Sequence, residues 1–320
     1  MVGLSLDPEF EAAIAPMTEV LASKPKLPAG DALGRREVGN KLLSQVLSGR
    51  KPIPGISRTD HTTKAPDGHT VTVSEFRKEG VPSDNSKAIF YVHGGGFILG
   101  SVDVFEDGIR RQVRDHDVPV FAVHYRLAPE NQHPIPIEDC YAGLKWLSEN
   151  AKEVGVDPGR IVVSGESAGG GLAACLTLLA RDRGFSPPIA KQILIFPMLD
   201  DRNQSPIAGI EEHAFWKCND NITGWKALVG ESAGGPDTSP YAAAARAPDV
   251  TGLPPTYIEV GQLDIFVHEN IQFAGRLAAA NVPVELHVYP GMPHAFQGYA
   301  PEAEYSKMAA RNVVAAVARA

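Results

Sequence analysis

From about residue 70 onward, short apolar runs and stretches of helix-spaced apolar positions take turns along the chain. Val71, Val73 and Phe76 flank polar positions within Thr70 to Phe76, the alternation of a half-buried strand. Ala88-Ile-Phe-Tyr-Val92 is apolar throughout, as a strand covered on both faces must be. Further strands are predicted over Val120 to His124, Ile161 to Ser164, Ile193 to Phe196, Thr256 to Val260 and Val284 to Tyr289. Residues 105–116, 138–153, 168–183 and 267–280 between them read as helices, and a last helix is predicted over 302–319. Strand and helix in alternation predict a mostly parallel sheet with helices on both faces.

Two stretches fall outside this alternation. Residues 8–48 read as helical, with Pro8 at a first helical position after Asp7 and apolar residues at Phe10, Ile14, Met17 and Leu21. The segment from Lys24-Pro25 to Pro28 breaks that helix, and a second is predicted from about Leu33 to Leu47. With Thr70 as the first expected strand, His61 and His69 fall in polar loops. Residues 203–235 follow neither period and carry Phe215, Trp216 and Trp225, so they read as an insertion whose aromatics face something.

Composition narrows the partners. The 320 residues are 43% hydrophobic and 21% charged, as in a globular protein with a sizeable core. A net charge of −8 and a pI near 5.7 argue against nucleic-acid or anionic-membrane binding and favour a neutral or weakly charged small molecule. Met1 to Phe10 carries Asp7 and Glu9 and no basic stretch ahead of an apolar block, which is not the pattern of a secretory signal. No apolar run approaches the roughly 20 residues of a membrane helix. Cys140, Cys175 and Cys218 are too widely spaced for a zinc or disulfide framework and read as buried thiols. A cytoplasmic protein without metal or cofactor is expected.

The candidate chemistry starts at Ile161-Val-Val-Ser-Gly-Glu-Ser-Ala-Gly-Gly-Gly171, a β-branched run driving into a glycine-flanked serine and then an apolar helical stretch. Strand, sharp turn, Ser167 and helix is the arrangement that pushes a hydroxyl out at the top of a sheet. The hexapeptide Gly-Glu-Ser-Ala-Gly-Gly recurs at 230–235, so the motif alone does not select Ser167 over Ser232. Context does: Ser232 has no strand before it, and Pro236 stops a helix from following. His93-Gly94-Gly95-Gly96, directly after the strand ending at Val92, is suited to turn backbone N–H groups toward a carbonyl oxygen, with a further N–H from Ala168. A phosphate-binding glycine turn would require Gly-x-Gly-x-x-Gly opening a helix, and Phe97-Ile98-Leu99 follows instead. Those three residues are placed to wall an acyl pocket or to pack in the core.

Of the ten histidines, His294 lies in a loop immediately after the last predicted strand, where parallel sheets place catalytic groups. The carboxylate partner should also follow a strand. Asp264 fits, and Asp200 and Asp201 compete on the same ground; all three keep the chain order Ser, acid, His.

His93-Gly-Gly-Gly96, Tyr125-Arg-Leu-Ala-Pro-Glu130, Gly165-Glu-Ser-Ala-Gly-Gly170, Asp264 and His294 together resemble the hormone-sensitive-lipase-like carboxylesterases, a branch of the α/β-hydrolases, from about Ala88 to Phe296. The resemblance implies an eight-stranded, mostly parallel α/β-hydrolase sheet over 56–202 and 236–320. It also implies a small helical cap built from 1–55 and 203–235, with Phe215 and Trp216 as candidate pocket residues. It implies Ser167, Asp264 and His294 as a triad. Gly95, Gly96 and Ala168 would be the oxyanion donors, with Gly94 shaping the loop and Tyr125 to Glu130 as a buttress. Three positions depart from the family pattern: Glu166 for a frequent Asp, Val267-His268-Glu269 for Arg-Asp-Glu, and Ala295 for a frequent Gly. The second departure bears on the hydrogen bonding around the acid. The implied activity is hydrolysis of short acyl esters. Lactonase or arylformamidase activity would use the same triad, and a non-catalytic ligand receptor is the second class, disfavoured by the presence of His294. The expected partner is a small ester, and a homodimer is compatible with the sequence.

Overall fold

A computed structural model of the chain describes residues 3–18, 25, 27–47, 53–81 and 86–320. Helix α1 (Pro8–Ile14) begins where the Asp7 carboxylate accepts the N–H groups of Glu9 and Phe10, each at 3.0 Å. It does not continue as an α-helix through Met17. A 3₁₀ turn takes over at Ala15–Met17, where Pro16 has no N–H to give. The expected position Leu21 lies outside the described residues. Helix α2 (Ala32–Leu47) matches its prediction.

A strand precedes the first one expected. β1 (Ile56–Lys64) pairs antiparallel with β2 (Thr70–Lys78). Of its nine residues only Ile56 is fully buried, so Ser-Arg-Thr-Asp-His-Thr-Thr-Lys carries no apolar alternation to betray it. An outermost strand can do this because its register is held by backbone bonds to one neighbour. His61 is therefore a strand residue, 2.9 Å from Glu75.

The remaining elements are β3 (Ser86–Val92), α3 (Val102–His116), β4 (Val120–Val123), α4 (Ile135–Glu149), β5 (Val156–Glu166), α5 (Ala168–Asp182), β6 (Lys191–Ile195), α6 (Cys218–Val229), β7 (Thr256–Gly261), α7 (Val267–Ala279), β8 (Val284–Tyr289), α8 (Phe296–Tyr299) and α9 (Glu304–Ala318), which follow the predicted alternation except for α6, inside the 203–235 stretch, and the short α8. The eight strands form one sheet in the order β1-β2-β4-β3-β5-β6-β7-β8, antiparallel over β1-β2-β4 and parallel from β4 to β8. This is the α/β-hydrolase fold.

Successive strand side chains point to opposite faces. Ala88, Phe90, Val92, Ile161 and Val163 meet α4, α5 and α7 on one face. Ile89, Tyr91, Val162 and Ile193 meet α3 and α9 on the other. Two buried lysines fasten the end of α9: Lys87 Nζ donates to the carbonyls of Val317 (2.6 Å) and Ala318 (2.9 Å), and Lys191 Nζ to that of Ala316 (2.9 Å). Cations at a helix C-terminus complement its dipole.

The two stretches that broke the alternation touch one another. Arg35 Nε on α2 lies 2.8 Å from Asp220 on α6, and the Gly30 N–H donates to Thr223 Oγ1 at 2.9 Å.

Candidate active site

Four parallel strands bring the candidate residues together at their C-terminal ends. β3 runs into His93 to Gly96, β5 into Ser167, β7 into Asp264 and β8 into His294. Ser167 has φ +57 and ψ −123, a conformation a non-glycine residue adopts only at a cost of about 1–3 kcal/mol. The tightness around it explains its glycines. A Cβ on Gly165 would lie 2.2 Å from the Gly169 carbonyl oxygen, and one on Gly169 would lie 2.2 Å from that of Val92. The elbow closes only with those side chains missing.

Ser167 Oγ is 2.9 Å from His294 Nε2, and His294 Nδ1 is 2.6 Å from Asp264 Oδ2. Asp264 is wholly buried, and its other oxygen accepts the Phe266 N–H at 3.0 Å. The imidazole is held edge-on between Phe196 and Phe266, with centroids at 4.8 and 5.2 Å. Ala295, beside His294, has φ +58, so the residue that replaces a frequent glycine sits in the left-handed region glycine occupies freely.

The competing residues are engaged elsewhere. Asp201 accepts from Arg246 (2.7 and 3.0 Å), Thr238 Oγ1 (2.7 Å) and the Gly234 N–H (2.6 Å). Asp200 is bound by Arg202 at 2.7 and 2.8 Å. Ser232 lies in a 3₁₀ turn, where its hydroxyl donates to the Val229 carbonyl at 2.7 Å. The departure after Asp264 also resolves. His268 is exposed, whereas buried Glu269 accepts the N–H groups of Leu199 (2.7 Å) and Asp200 (3.2 Å) and the Asn203 amide (3.0 Å). Glu269 thus ties α7 to the chain leaving β6 and leaves Asp264 alone. Burial pushes its carboxyl well above the usual range.

In the glycine loop, Gly95 (φ +119) and Gly96 (φ +57) take conformations that side chains resist. A Cβ on Gly95 would sit 2.0 Å from the Leu99 carbonyl oxygen. Gly94 packs so closely on the elbow that a Cβ would lie 2.9 Å from the Glu166 carbonyl oxygen. His93 is pushed down to about 4 by burial and stays neutral, donating from Nδ1 to the Gly94 carbonyl at 2.7 Å. Tyr125 stacks on it at 4.3 Å and donates to its carbonyl at 2.9 Å.

Arg36 on α2 clasps the same region. It donates to the carbonyls of Ile98 and Ala128 and meets both Glu130 oxygens at 2.7 Å. Bidentate arginine contacts of this kind are geometrically demanding. Trp216 from the insertion covers Gly96, where a Cβ would fall 2.3 Å from the Trp216 ring. Phe215 instead joins Phe10 (5.8 Å) and Tyr299 (4.7 Å). The expectation that Phe97 to Leu99 wall an acyl pocket is not met at Phe97 and Ile98. Both have no exposed surface, because Phe97 packs on Trp225 and Ile98 among Ala32, Ala128 and Ala227. Leu99 is also buried.

The three cysteines are free and buried. Among the described residues no group of three His, Cys, Asp or Glu side chains could hold a metal ion, and no helix is long and apolar enough to cross a membrane.

Residues 89–298 match the model of a family described by its alpha/beta hydrolase fold. The chain is 37% identical to esterase LipI of Mycobacterium tuberculosis (strain ATCC 25618 / H37Rv) over 221 residues, which are 66% of this chain and 66% of LipI. It is 30% identical to ethyl acetate hydrolase of Pseudomonas putida over 303 residues, 92% of each chain. Among solved structures, a bacterial heroin esterase superposes with a TM-score of 0.87 at 36% identity, covering 98% of both chains.

Proposed function

Because this chain belongs to the hormone-sensitive-lipase-like branch of the α/β-hydrolase family, and is a carboxylic ester hydrolase, we propose that it cleaves short-chain esters through an acyl-enzyme on Ser167. The observation that carries this reading is the continuous line from Ser167 Oγ to His294 Nε2 (2.9 Å) and from His294 Nδ1 to Asp264 (2.6 Å). His294 takes the serine proton as Oγ attacks the ester carbonyl, while Asp264 holds the ring's tautomer and stabilises the imidazolium. The N–H groups of Gly95, Gly96 and Ala168 receive the oxyanion, a contribution of about 3–4 kcal/mol per donor to the transition state. His294 returns its proton to the leaving alcohol, then activates the water that releases the acid.

The short-chain preference rests on a small cap, in which α1, α2 and residues 203–235 bring Trp216 over Gly96 and Arg36 onto the Ile98 carbonyl. Likeness to a hydrolase of ethyl acetate supports it. The test is a fluorophosphonate probe on the parent protein, Ser167→Ala and Ser232→Ala, with p-nitrophenyl acetate, butyrate, octanoate and palmitate as substrates. Labelling and turnover should vanish in Ser167→Ala alone. Loss only in Ser232→Ala would overturn the assignment, and a palmitate optimum would overturn the chain-length reading.

A further inference from the structure

A buried polar band lies under the candidate site, on the α3/α9 face of the sheet. Tyr91 on β3 donates its hydroxyl to Glu166, the residue before Ser167. On β7, Glu259 is fully buried and accepts the Tyr257 hydroxyl on one oxygen (2.5 Å) and the Gln297 amide on the other (2.6 Å). Gln297 lies on α8, three residues after His294. Glu259 also acts through its backbone, since its carbonyl accepts the Phe196 N–H at 2.6 Å, and Phe196 packs against the His294 ring. One strand residue thus grips both the helix that follows His294 and the aromatic beside it.

We propose that Glu259 is a positioning residue for His294, fixing the imidazole through the Gln297 amide on α8 and through Phe196. This rests on the reading of His294 as the base. A buried carboxylate gives up its hydration, so it is an unfavourable way to fill this space unless the geometry it imposes is used. The surroundings are specific. Tyr257 comes from the same strand, Glu166 from β5, and His287 and Tyr289 from β8, with His287 register-paired to Glu259 and bonded to Glu285 at 2.9 Å. Tyr289 is itself tied to Asn312 of α9 at 3.1 Å. Arg319 closes the His287–Glu285 branch through Glu285, whereas among the described residues no arginine or lysine bonds Glu259 itself, so its fastening depends on hydrogen-bond direction. The Gln297 carbonyl oxygen is buried without a partner among the described residues, so its amide can turn and accept a hydrogen bond from the Glu259 carboxyl when that group is protonated. Burial holds that carboxyl up to about 7, which places the change near neutral pH.

The experiment is a kinetic double-mutant cycle with p-nitrophenyl butyrate. Glu259→Leu and Gln297→Leu should each lower kcat at least tenfold with KM changed less than twofold, because they displace the base and leave the acyl site alone. The double variant should be no slower than the worse single, since both break one connection. Glu259→Gln, which can accept from Tyr257 and donate to the Gln297 oxygen, should recover most of the loss and remove an inflection near pH 7 from the kcat profile. Additive losses, or a fall in kcat matched by an equal rise in KM, would overturn the proposal. An active His294→Ala would instead sink the triad itself, whereas an inert His294→Ala with an additive cycle would sink only the role of Glu259.

Discussion

Replacing Glu259 by Gln should stabilise this protein above neutral pH and change little near pH 4.5. Glu259 has no solvent access, and desolvation raises its carboxyl from 4.5 to about 7 despite hydrogen bonds from Tyr257, Gln297 and Tyr289; the nearby Glu166 charge pushes the same way. Below 4.5 the group is neutral in folded and unfolded chains alike. Between 4.5 and about 7 the folded chain holds a proton that the unfolded chain releases, so stability falls as pH rises through this window. Above about 7 both states are ionised and the deficit is complete, about 3 kcal/mol for that interval. Gln cannot ionise and carries no such deficit. For 320 residues, 3 kcal/mol corresponds to about 4–5 °C in Tm. Urea and thermal unfolding of parent and variant, followed in half-unit steps from pH 4.5 to 8.5, would show the difference opening across the window and levelling above it. A difference that stays constant with pH would refute the argument, because the slope requires a carboxyl whose pKa is higher in the folded chain than in the unfolded one.

Two further contrasts probe the site. Asp264→Asn should lower kcat about 10⁴-fold while leaving Tm near the parent value, whereas Asp201→Ala, which leaves Arg246 without its carboxylate, should cost about 3–5 kcal/mol in stability by urea unfolding. Equal kinetic damage from both at equal folded fraction would undo the distinction drawn between them. Gly96→Ala should lower kcat at least tenfold, since its Cβ meets the Trp216 ring and the backbone must leave φ +57; Gly96→Ala/Trp216→Ala should recover part of that loss in steady-state assays.

The sheet was legible wherever burial on both faces left an apolar run, as at Ala88 to Val92 and Ile161 to Val163. It was illegible at β1, whose one buried side chain leaves a sequence that reads as a polar loop. The site divided along similar lines. Ser167 could be told from Ser232 because strand, glycine and proline are local signals. Asp264 could not be told from Asp200 or Asp201 by position, since all follow a strand; it took Arg246 and Arg202, neither flagged by spacing, to account for the other two. Glu259 gave no signal, because the one charged residue in Thr-Tyr-Ile-Glu-Val looks like an outward strand position, and its partner Gln297 is 38 residues away. Phe97 and Ile98 stayed open for a related reason: apolar residues after a glycine loop suit a pocket and a core equally well.

Arg36 carries a consequence for how such a chain can diversify. Its guanidinium reaches from α2 to the Ile98 carbonyl, two residues beyond Gly96, and to both ends of the Ala128 to Glu130 segment. The helix proposed to form part of the cap is therefore also a tether on the loop proposed to bind the oxyanion. Shortening the N-terminal segment to admit bulkier esters would release Ile98 at the same stroke. Turnover and substrate breadth are then inherited together, and a lineage that widens its entrance by trimming this helix must also find another anchor for the loop beneath it.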